Sequence, residues 1–278
     1  MRTIVTTPAI RVLQPIPERL RNIPDPPRRL WVRGGLPPAA GVAIVGSRRA
    51  TAYGRRVATL LAGRLGAAGV PVVSGLAFGI DVTAHAAALD AGGRSIAVLP
   101  TGLDDDDVSP RSHRSLARRI ASQGALVSEY PAGTESRKHH YEARNRLIAG
   151  LARTVVVVEA ARPSGTLITA RHADDQSKDI WAVPGRIEDE QSLGTNWLLS
   201  ERDARPFVSV DDFLESYGIA SRSRRLSGIA AHLTRSASHF DDLVTRSGRP
   251  AAEVEAELTK LELAGAVRHV GDRYYVLA

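Results

Sequence analysis

The chain has 278 residues, of which 43% are hydrophobic and none is cysteine, so it can form a packed core but no disulfides, catalytic thiols or thiolate metal sites. Its formal charge of +7, carried mainly by arginine, favours an anionic partner such as nucleic acid, although a coding bias toward arginine would give the same charge. No apolar run is long enough to span a membrane and no secretory signal precedes the first strand, so we expect a cytoplasmic protein.

The first segment, residues 1–38, is rich in proline and arginine and includes "PDPPRRLWVRGGLPP". It has no hydrophobic period, and we predict an extended N-terminal lead-in that packs on the domain after it. From residue 41 onward, short apolar strands alternate with helices. The predicted strands are 41–47, 70–75, 95–100, 125–131, 153–160 and 179–185, and the predicted helices are 54–69, 81–93, 113–124 and 166–176.

Strands that are apolar on both faces and alternate with helices indicate a mostly parallel sheet covered on both sides. The sequence therefore predicts an α/β protein with a Rossmann-like domain over residues 39–216. Asp81 is the expected N-cap of its second helix. Ligands of such sheets bind beyond the carboxyl ends of the strands, so the turns at that edge are the place to look for a site.

The C-terminal part changes in character. Residues 217–225 predict a linker, and residues 226–278 predict three helices (228–235, 239–248 and 250–265) followed by two short strands, which is typical of a winged-helix domain. In DNA readers the third helix is basic, whereas here it carries four glutamates against Lys260. We expect this domain to be a protein-contact or dimerisation element rather than a reader of duplex DNA.

Three strand-to-helix turns carry residues suited to phosphate. They are Gly46, Ser47 and Arg48 in "VGSRRATAYG", Ser74 and Gly75 in "SGLAFGID", and Ser164, Gly165 and Thr166 in "RPSGTLITA". Each turn alone could be a tight connection without a ligand, and none has the spacing of a P-loop. Together, at one edge of one sheet, they predict an anion-binding site.

A fourth stretch, "YEARNRLIAGLA", places Arg144, Asn145 and Arg146 directly before an apolar helical run. We predict that they lie where a helix begins, either as a solvated helix start or as a polyanion site. No Gly-x-Ser-x-Gly elbow supports a Ser74, Asp81 and His85 triad, and the eight histidines include no HExxH. We therefore expect no catalytic residue, no metal and no cofactor.

In their order along the chain, "AIVGSR", "VVSGLAFGIDVTAH", "GGRSIAVLPTGLD", "LVSEYPAGT", "ARNRLIAGLA", "VVVVEAARPSGTLITA", "WAVPG" and "SLGTNWLL" resemble the DNA-processing protein A family (DprA, also called Smf). The resemblance covers about residues 16–207, and many members also carry a winged-helix tail. It implies a non-enzymatic protein that binds single-stranded DNA, protects incoming strands in natural transformation and helps to load the RecA recombinase, and we expect a homodimer.

Carried over residue by residue, the resemblance implies one pocket for phosphate and base. Its lining would be Gly46, Ser47, Arg48, Ser74, Gly75, Tyr141, Arg144, Asn145, Arg146, Ser164, Gly165 and Thr166, with Arg137 or Lys138 as a further basic residue. Arg144 and Arg146 would clamp consecutive phosphates. The alternative is that either arginine is structural and pairs with a carboxylate such as Glu129 or Glu159.

The sequence departs from the family pattern at three places. Tyr141 and Glu142 stand where the family usually has Phe-Pro, Ser109-Pro110 stands for its Tyr-Pro, and the N-terminal helical module of many members is missing. Tyr141 still offers a ring on which a base can stack. The rival interpretation is a nucleotide-binding or nucleotide-hydrolysing enzyme, but the Pro-Gly-Gly-x-Gly-Thr signature of the related phosphoribohydrolases is missing.

Overall fold

The computed structural model describes residues 8–219, 228–233, 237–263 and 267–277. The chain divides into two compact units, Met1–Ile219 and Ala220–Ala278. Each unit is described by itself.

The first unit is built on one sheet. Within the described residues its strands are β1 (Ile10–Val12), β2 (Trp31–Gly34), β3 (Gly41–Val45), β4 (Val72–Ser74), β5 (Ser95–Val98), β6 (Ala125–Ser128), β7 (Ala152–Val157), β8 (Asp179–Ala182) and β9 (Arg205–Pro206). They lie in the order β1-β2-β6-β5-β4-β3-β7-β8-β9. The strands from β6 to β9 pair in parallel, whereas β2 pairs antiparallel with both β1 and β6. The sheet is therefore mostly parallel, as predicted.

Helices cover both faces of this sheet. They are α1 (Glu18–Arg21), α2 (Ala52–Ala67), α3 (Ile80–Asp90), α4 (Arg114–Gln123), α5 (Lys138–Leu151), α6 (Gly165–Asp175), α7 (Leu193–Glu201) and α8 (Val210–Ser216). Alternate residues of β3 face opposite sides: Val42 and Ile44 pack with α2 and α3, whereas Ala43 and Val45 pack with α5 and α6. The strands are apolar on both faces for this reason.

The proline-rich segment differs from the prediction of an extended lead-in. Within residues 1–38, β1 and β2 extend the sheet antiparallel beyond β6, and Leu20 and Leu30 are fully buried in the core. The short strands pass unnoticed in the sequence because prolines surround them. The strand that joins β2 to the rest of the sheet, β6, is about ninety positions further along the chain. Helices α7 and α8 were also not predicted as helices.

The second unit is a small helical domain with a wing. A 3₁₀ segment (Gly228–His232) stands where the first helix was predicted, and α9 (Phe240–Ser247) and α10 (Ala251–Leu263) come after it. Strands β10 (Ser238–His239), β11 (Val267–His269) and β12 (Tyr274–Leu277) form an antiparallel sheet. Of the predicted linker 217–225, residues from 220 onward lie outside the described part of the chain.

The acidic face of α10 is partly used inside this unit. Arg249 forms ion pairs with Glu253 and Glu257, and Glu257 also accepts a hydrogen bond from the Ile229 backbone N–H at 2.9 Å. At least these two glutamates therefore stabilise the small domain itself.

Candidate functional site

A cavity of about 600 Å³ opens at the carboxyl ends of the central strands. Its wall is formed by the turn after β3, the first two turns of α5 and the start of α6, together with Ala77 of the β4–α3 loop and Gln191. Four basic side chains and two acidic ones line it. The basic ones are Arg48, Arg49, Lys138 and Arg144, and the acidic ones are Asp81 and Glu142.

The turn after β3 is held by backbone contacts. Gly46 is needed because a Cβ there would lie 2.6 Å from Cγ1 of Ile80. The Ser47 N–H donates to the Glu159 carbonyl oxygen at 2.8 Å. The buried Glu159 carboxylate accepts hydrogen bonds from the N–H and the hydroxyl of Thr51, the N-cap of α2. Glu159 therefore fixes this turn rather than pairing with an arginine, and Arg48 projects from it as an exposed side chain.

Helix α5 begins earlier than predicted. It starts at Lys138, with Arg137 as N-cap, so Arg144, Asn145 and Arg146 lie in its second and third turns and are buried. The prediction that they begin the helix was wrong, because no proline or glycine separates Lys138 from Leu147 and nothing stops the helix from extending upstream.

The first turn of α5 supplies the exposed part of the cavity wall. Lys138 is exposed, and the ring of Tyr141 lies under the guanidinium of Arg48, with Cζ 5.1 Å from the ring centroid. Burial raises the pKa of the Tyr141 phenol, but hydrogen bonds with Ser136 and Ser109 and the charges of Arg48 and Arg144 outweigh this, so its pKa lies below the ordinary value. Tyr141 and Arg48 thus form a cation–π pair that places an aromatic ring and a positive charge side by side in the cavity wall.

Arg144 lies at the back of the cavity and is tied to the main chain. Its Nη1 donates to the carbonyl oxygens of Gly75, at 2.7 Å, and of Val98, and its Nε donates to Asn145 Oδ1 at 3.1 Å. Burial lowers its pKa to about 10, against the opposing effect of the Asp81 carboxylate. Arg144 stays a cation at neutral pH and places a fixed positive charge behind the cavity.

Asp81 faces Arg144 and holds the loop after β4. Its carboxylate accepts from the backbone N–H groups of Gly75, at 3.1 Å, and Ala77, at 3.3 Å. Burial raises its pKa, and the charge of Arg144 and these hydrogen bonds oppose that rise. The expected N-cap role of Asp81 was wrong: the N-cap of α3 is Gly79, and Asp81 lies one position inside the helix.

Arg146 points away from this cavity. Its Nη1 and Nη2 bind the two carboxylate oxygens of Glu129 at 2.5 and 2.8 Å, and its Nε lies 2.7 Å from an Asp25 carboxylate oxygen. The Arg146 side chain is only 10% exposed and borders a separate cavity of about 450 Å³. Of the two roles open to it from sequence, the structure favours the structural pair with Glu129.

The third wall is the amino end of α6. Ser164 is the N-cap residue, and its hydroxyl is buried without a hydrogen-bond partner among the described residues. Gly165 and Thr166 begin the helix, and Asn145 Nδ2 donates to the Gly165 carbonyl oxygen at 3.4 Å. Unpaired N–H groups and the helix dipole make this end a favourable position for an anion.

The structure thus brings most of the predicted residues into one cavity and leaves four outside it. Those lining it are Gly46, Ser47, Arg48, Lys138, Tyr141, Arg144, Asn145, Ser164, Gly165 and Thr166. Those outside its lining are Ser74, Gly75, Arg137 and Arg146. Ser74 is buried and donates to the Ile44 carbonyl oxygen at 2.6 Å, so it supports β4.

Arg49 and Gln191 also line the cavity and were not predicted from the sequence. Arg49 directly follows Arg48, so the pair of adjacent arginines could have indicated this position from the sequence. In the structure Arg49 forms an exposed ion pair with Glu190 at 3.3 Å. Gln191 enters from the segment after β8, and nothing local in the sequence indicates that position. His85 binds Ser95 through Nδ1 at 2.6 Å, which leaves no support for the triad.

Over the described part of the chain, no helix is long and apolar enough to cross a membrane. The same residues contain no group of three or more histidine or acidic side chains arranged to hold a metal ion.

The chain is an α/β protein with a Rossmann-like sheet, a cavity lined by four basic side chains at the carboxyl edge of that sheet, and a winged-helix unit. A family model described as DNA recombination-mediator protein A matches residues 10–218, and a model described as DprA winged helix domain matches residues 219–273. The chain belongs to the DNA recombination-mediator protein A family, which confirms the resemblance seen in its motifs.

Individual relatives support this family assignment. Protein Smf of Escherichia coli is 37% identical over 279 residues, covering 93% of this chain and 74% of that protein. DNA processing protein DprA of Bacillus subtilis is 38% identical over 199 residues, covering 70% of this chain and 66% of that one.

Two solved structures share the fold. DprA of Streptococcus pneumoniae has a TM-score of 0.68 and 37% identity, covering 74% of each chain. DprA of Helicobacter pylori, whose structure concerns a single-stranded DNA binding mode, has a TM-score of 0.68 and 30% identity, covering 75% of this chain and 95% of that one.

Proposed function

We propose that this chain binds single-stranded DNA without strong sequence preference, at the cavity beyond β3 and β7. The proposal rests on the groups found together at the mouth of that cavity. There the exposed Arg48 lies over the Tyr141 ring, and Lys138 and the amino end of α6 line the same cavity. The Ser164 hydroxyl at that helix end has no hydrogen-bond partner among the described residues. Cations, free N–H groups and an aromatic ring in one place suit a strand of phosphates and unpaired bases.

Each wall has a separate role in this proposal. The backbone N–H groups of Gly165 and Thr166 bind a phosphate, and Arg48 and Lys138 bind its neighbours. Tyr141 stacks on a base. Arg144 does not clamp a phosphate with Arg146: it adds charge from behind and holds the loops that form the wall.

The proposal includes the cellular role that the resemblance implies. That role is a cytoplasmic homodimer that protects single strands and passes them to RecA in recombination or natural transformation, without catalysis. The family description, a recombination mediator, supports the part of this role that concerns recombination. Strand exchange by RecA on strands coated with single-strand-binding protein tests the hand-over, and light scattering at several protein concentrations tests the dimer. If strand exchange is not stimulated, the proposed hand-over to RecA is contradicted. If the mass stays that of a monomer at every concentration, the proposed homodimer is contradicted.

A second candidate is a pocket for a mononucleotide, and the cavity volume supports it, because about 600 Å³ is within the range of small-molecule sites. Thermal-shift measurements with mononucleotides and with short oligonucleotides separate the two candidates. Stabilisation by oligonucleotides alone supports strand binding, whereas comparable stabilisation by a mononucleotide supports the pocket.

The test of the proposed function is fluorescence anisotropy of a labelled oligo-dT and of the matching duplex across a salt series. We expect tight binding to the single strand, weaker binding to the duplex, and an affinity that falls steeply with salt as phosphate contacts are replaced by counterions. Preference for duplex would move the binding to the winged helix. Absence of binding to either would leave a nucleotide pocket or a protein adaptor.

A further inference from the structure

Phe78 is a large apolar residue with 50% of its surface exposed, and it lies in the loop that joins β4 to α3. Its neighbours in this loop are placed differently: Leu76 is fully buried, and Ala77 lines the cavity. Burying the whole phenyl ring would stabilise the fold, and half of the Phe78 surface is left exposed instead. Such an exposed aromatic residue is a candidate for contact with a ligand.

The loop holds Phe78 outward firmly. Leu76 and Gly79 both adopt positive φ angles, 58° and 76°, and the buried Asp81 carboxylate binds the N–H groups of Gly75 and Ala77. A loop fixed at both sides of a residue presents that residue in one orientation. The exposure of Phe78 is therefore a property of the folded loop and not of a loose segment.

The buried side chain of His113 packs against the Phe78 ring. The two rings are in edge-to-face contact, with centroids 4.7 Å apart and an interplanar angle of 69°. His113 is buried, and its Nδ1 lies 3.0 Å from the Leu76 carbonyl oxygen in the same loop. The contact fixes the ring while half of the Phe78 side chain stays open to solvent.

The loop that carries the ring adjoins the Arg48 turn, which forms part of the cavity wall. A Cβ at Gly79 would lie 2.8 Å from the Arg48 carbonyl oxygen, and the Ile80 N–H donates to the Ser47 carbonyl oxygen at 3.2 Å, so the Phe78 loop packs directly on the Arg48 turn. On its other side, the segment 109–113 binds the Tyr141 phenol through Ser109 and contacts Phe78 through His113.

We propose that Phe78 is a second base-stacking platform, which binds a nucleobase of the strand as the strand leaves the cavity past Arg48. The inference rests on the proposed function, because it extends that site to one more base. Base–aromatic stacking tolerates any base, and truncating such a ring costs roughly ten-fold in affinity. The footprint of the strand on this protein is accordingly longer than the cavity alone.

The test is a length series of labelled oligo-dT, from the shortest that binds upward, with wild type, Phe78→Ala, Phe78→Leu and Phe78→Trp. We expect the alanine and leucine variants to match wild type on the shortest oligonucleotide and to bind about ten-fold more weakly once the strand reaches Phe78. Phe78→Trp should restore the affinity, and the added indole fluorescence should be quenched by the long strand. Leu60→Ala, which truncates an exposed apolar residue on α2, is the matched control.

Three results would overturn the inference while leaving the proposed function intact. They are unchanged affinity of Phe78→Ala at every length, wild-type affinity of Phe78→Leu, and a loss that is equal on the shortest and longest strands. If wild type does not bind oligo-dT, or if Arg48→Ala and Lys138→Ala bind as wild type does, the proposed site fails and Phe78 fails with it.

Discussion

The guanidinium of Arg144 occupies the space that a side chain at residue 75 would need, and its Nη1 donates to the Gly75 carbonyl oxygen at 2.7 Å. The second predicted turn and the Arg-Asn-Arg motif are thus two halves of one contact. Gly75 does not line the cavity, yet it is required for Arg144 to stand behind it.

Gly75→Ala should therefore destabilise the protein by about 1 to 3 kcal/mol, because the new methyl group must displace a buried, hydrogen-bonded cation. Urea unfolding measures the change. Gly63→Ala in the middle of α2 is the matched control: a Cβ there meets only the Ala87 carbonyl oxygen at 4.0 Å, and the helix should gain up to about 1 kcal/mol. Equal free energies of unfolding for Gly75→Ala and wild type would contradict the account of this contact.

Arg146→Ala should reduce stability far more than DNA binding. It leaves the largely buried Glu129 carboxylate without its partner, at a cost of about 3 kcal/mol. Arg119→Ala, which breaks an exposed ion pair with Asp90, should cost less than about 1 kcal/mol. Under conditions where Arg146→Ala is folded, its affinity for oligo-dT should stay within about two-fold of wild type. A stable variant that has lost binding would return Arg146 to the DNA site.

The buried His85 should make the protein lose stability in mild acid. Burial, followed by the positive charges of Arg144 and His113, lowers its pKa to about 3. Between that value and the ordinary pKa of about 6.5, the unfolded chain binds a proton that the folded protein does not, so stability falls as the pH drops below 6.5. The loss attributable to His85 is about 2 kcal/mol at pH 5.

His85→Gln removes the titration and keeps a polar group near Ser95. Urea unfolding of both proteins between pH 7 and pH 5 should show the stability of wild type falling relative to that of the variant by about 2 kcal/mol. Parallel pH profiles would show that His85 takes up its proton over the same pH range in the folded and the unfolded protein, which would contradict the lowered pKa.

Much of the fold was readable because its signals are local. The strands from β3 to β8 are mostly apolar runs. The turns around Ser47 and Ser164 belong to the connections that follow β3 and β7, so the parallel pairing of these two strands brings both turns to one edge of the sheet. The placement of β1 and β2 could not be predicted in the same way, since β1 pairs with β2, and β2 joins the sheet through β6, which lies far along the chain.

The different roles of the two arginines could not be predicted from the sequence either, because they also depend on contacts with distant residues. Arg144 and Arg146 are two positions apart in one helix and look equivalent in the sequence. Their difference comes from partners on other elements: Gly75 and Val98 on one side, and Glu129 on the other. The exposed residues Arg48, Arg49 and Lys138 carry the accessible positive charge of the cavity instead.

The most direct test of the site is the anisotropy of labelled oligo-dT with the double variant Arg48→Ala and Lys138→Ala. Both side chains are exposed, so the fold should be unaffected, and we expect the affinity to fall at least ten-fold and the dependence of log affinity on log salt to become shallower by about 1.4. Arg94→Ala, an exposed arginine at the amino end of β5 on the opposite edge, should bind as wild type does apart from a small uniform charge effect. Equal affinities and salt slopes for the double variant and Arg94→Ala would contradict the assignment of DNA binding to this cavity.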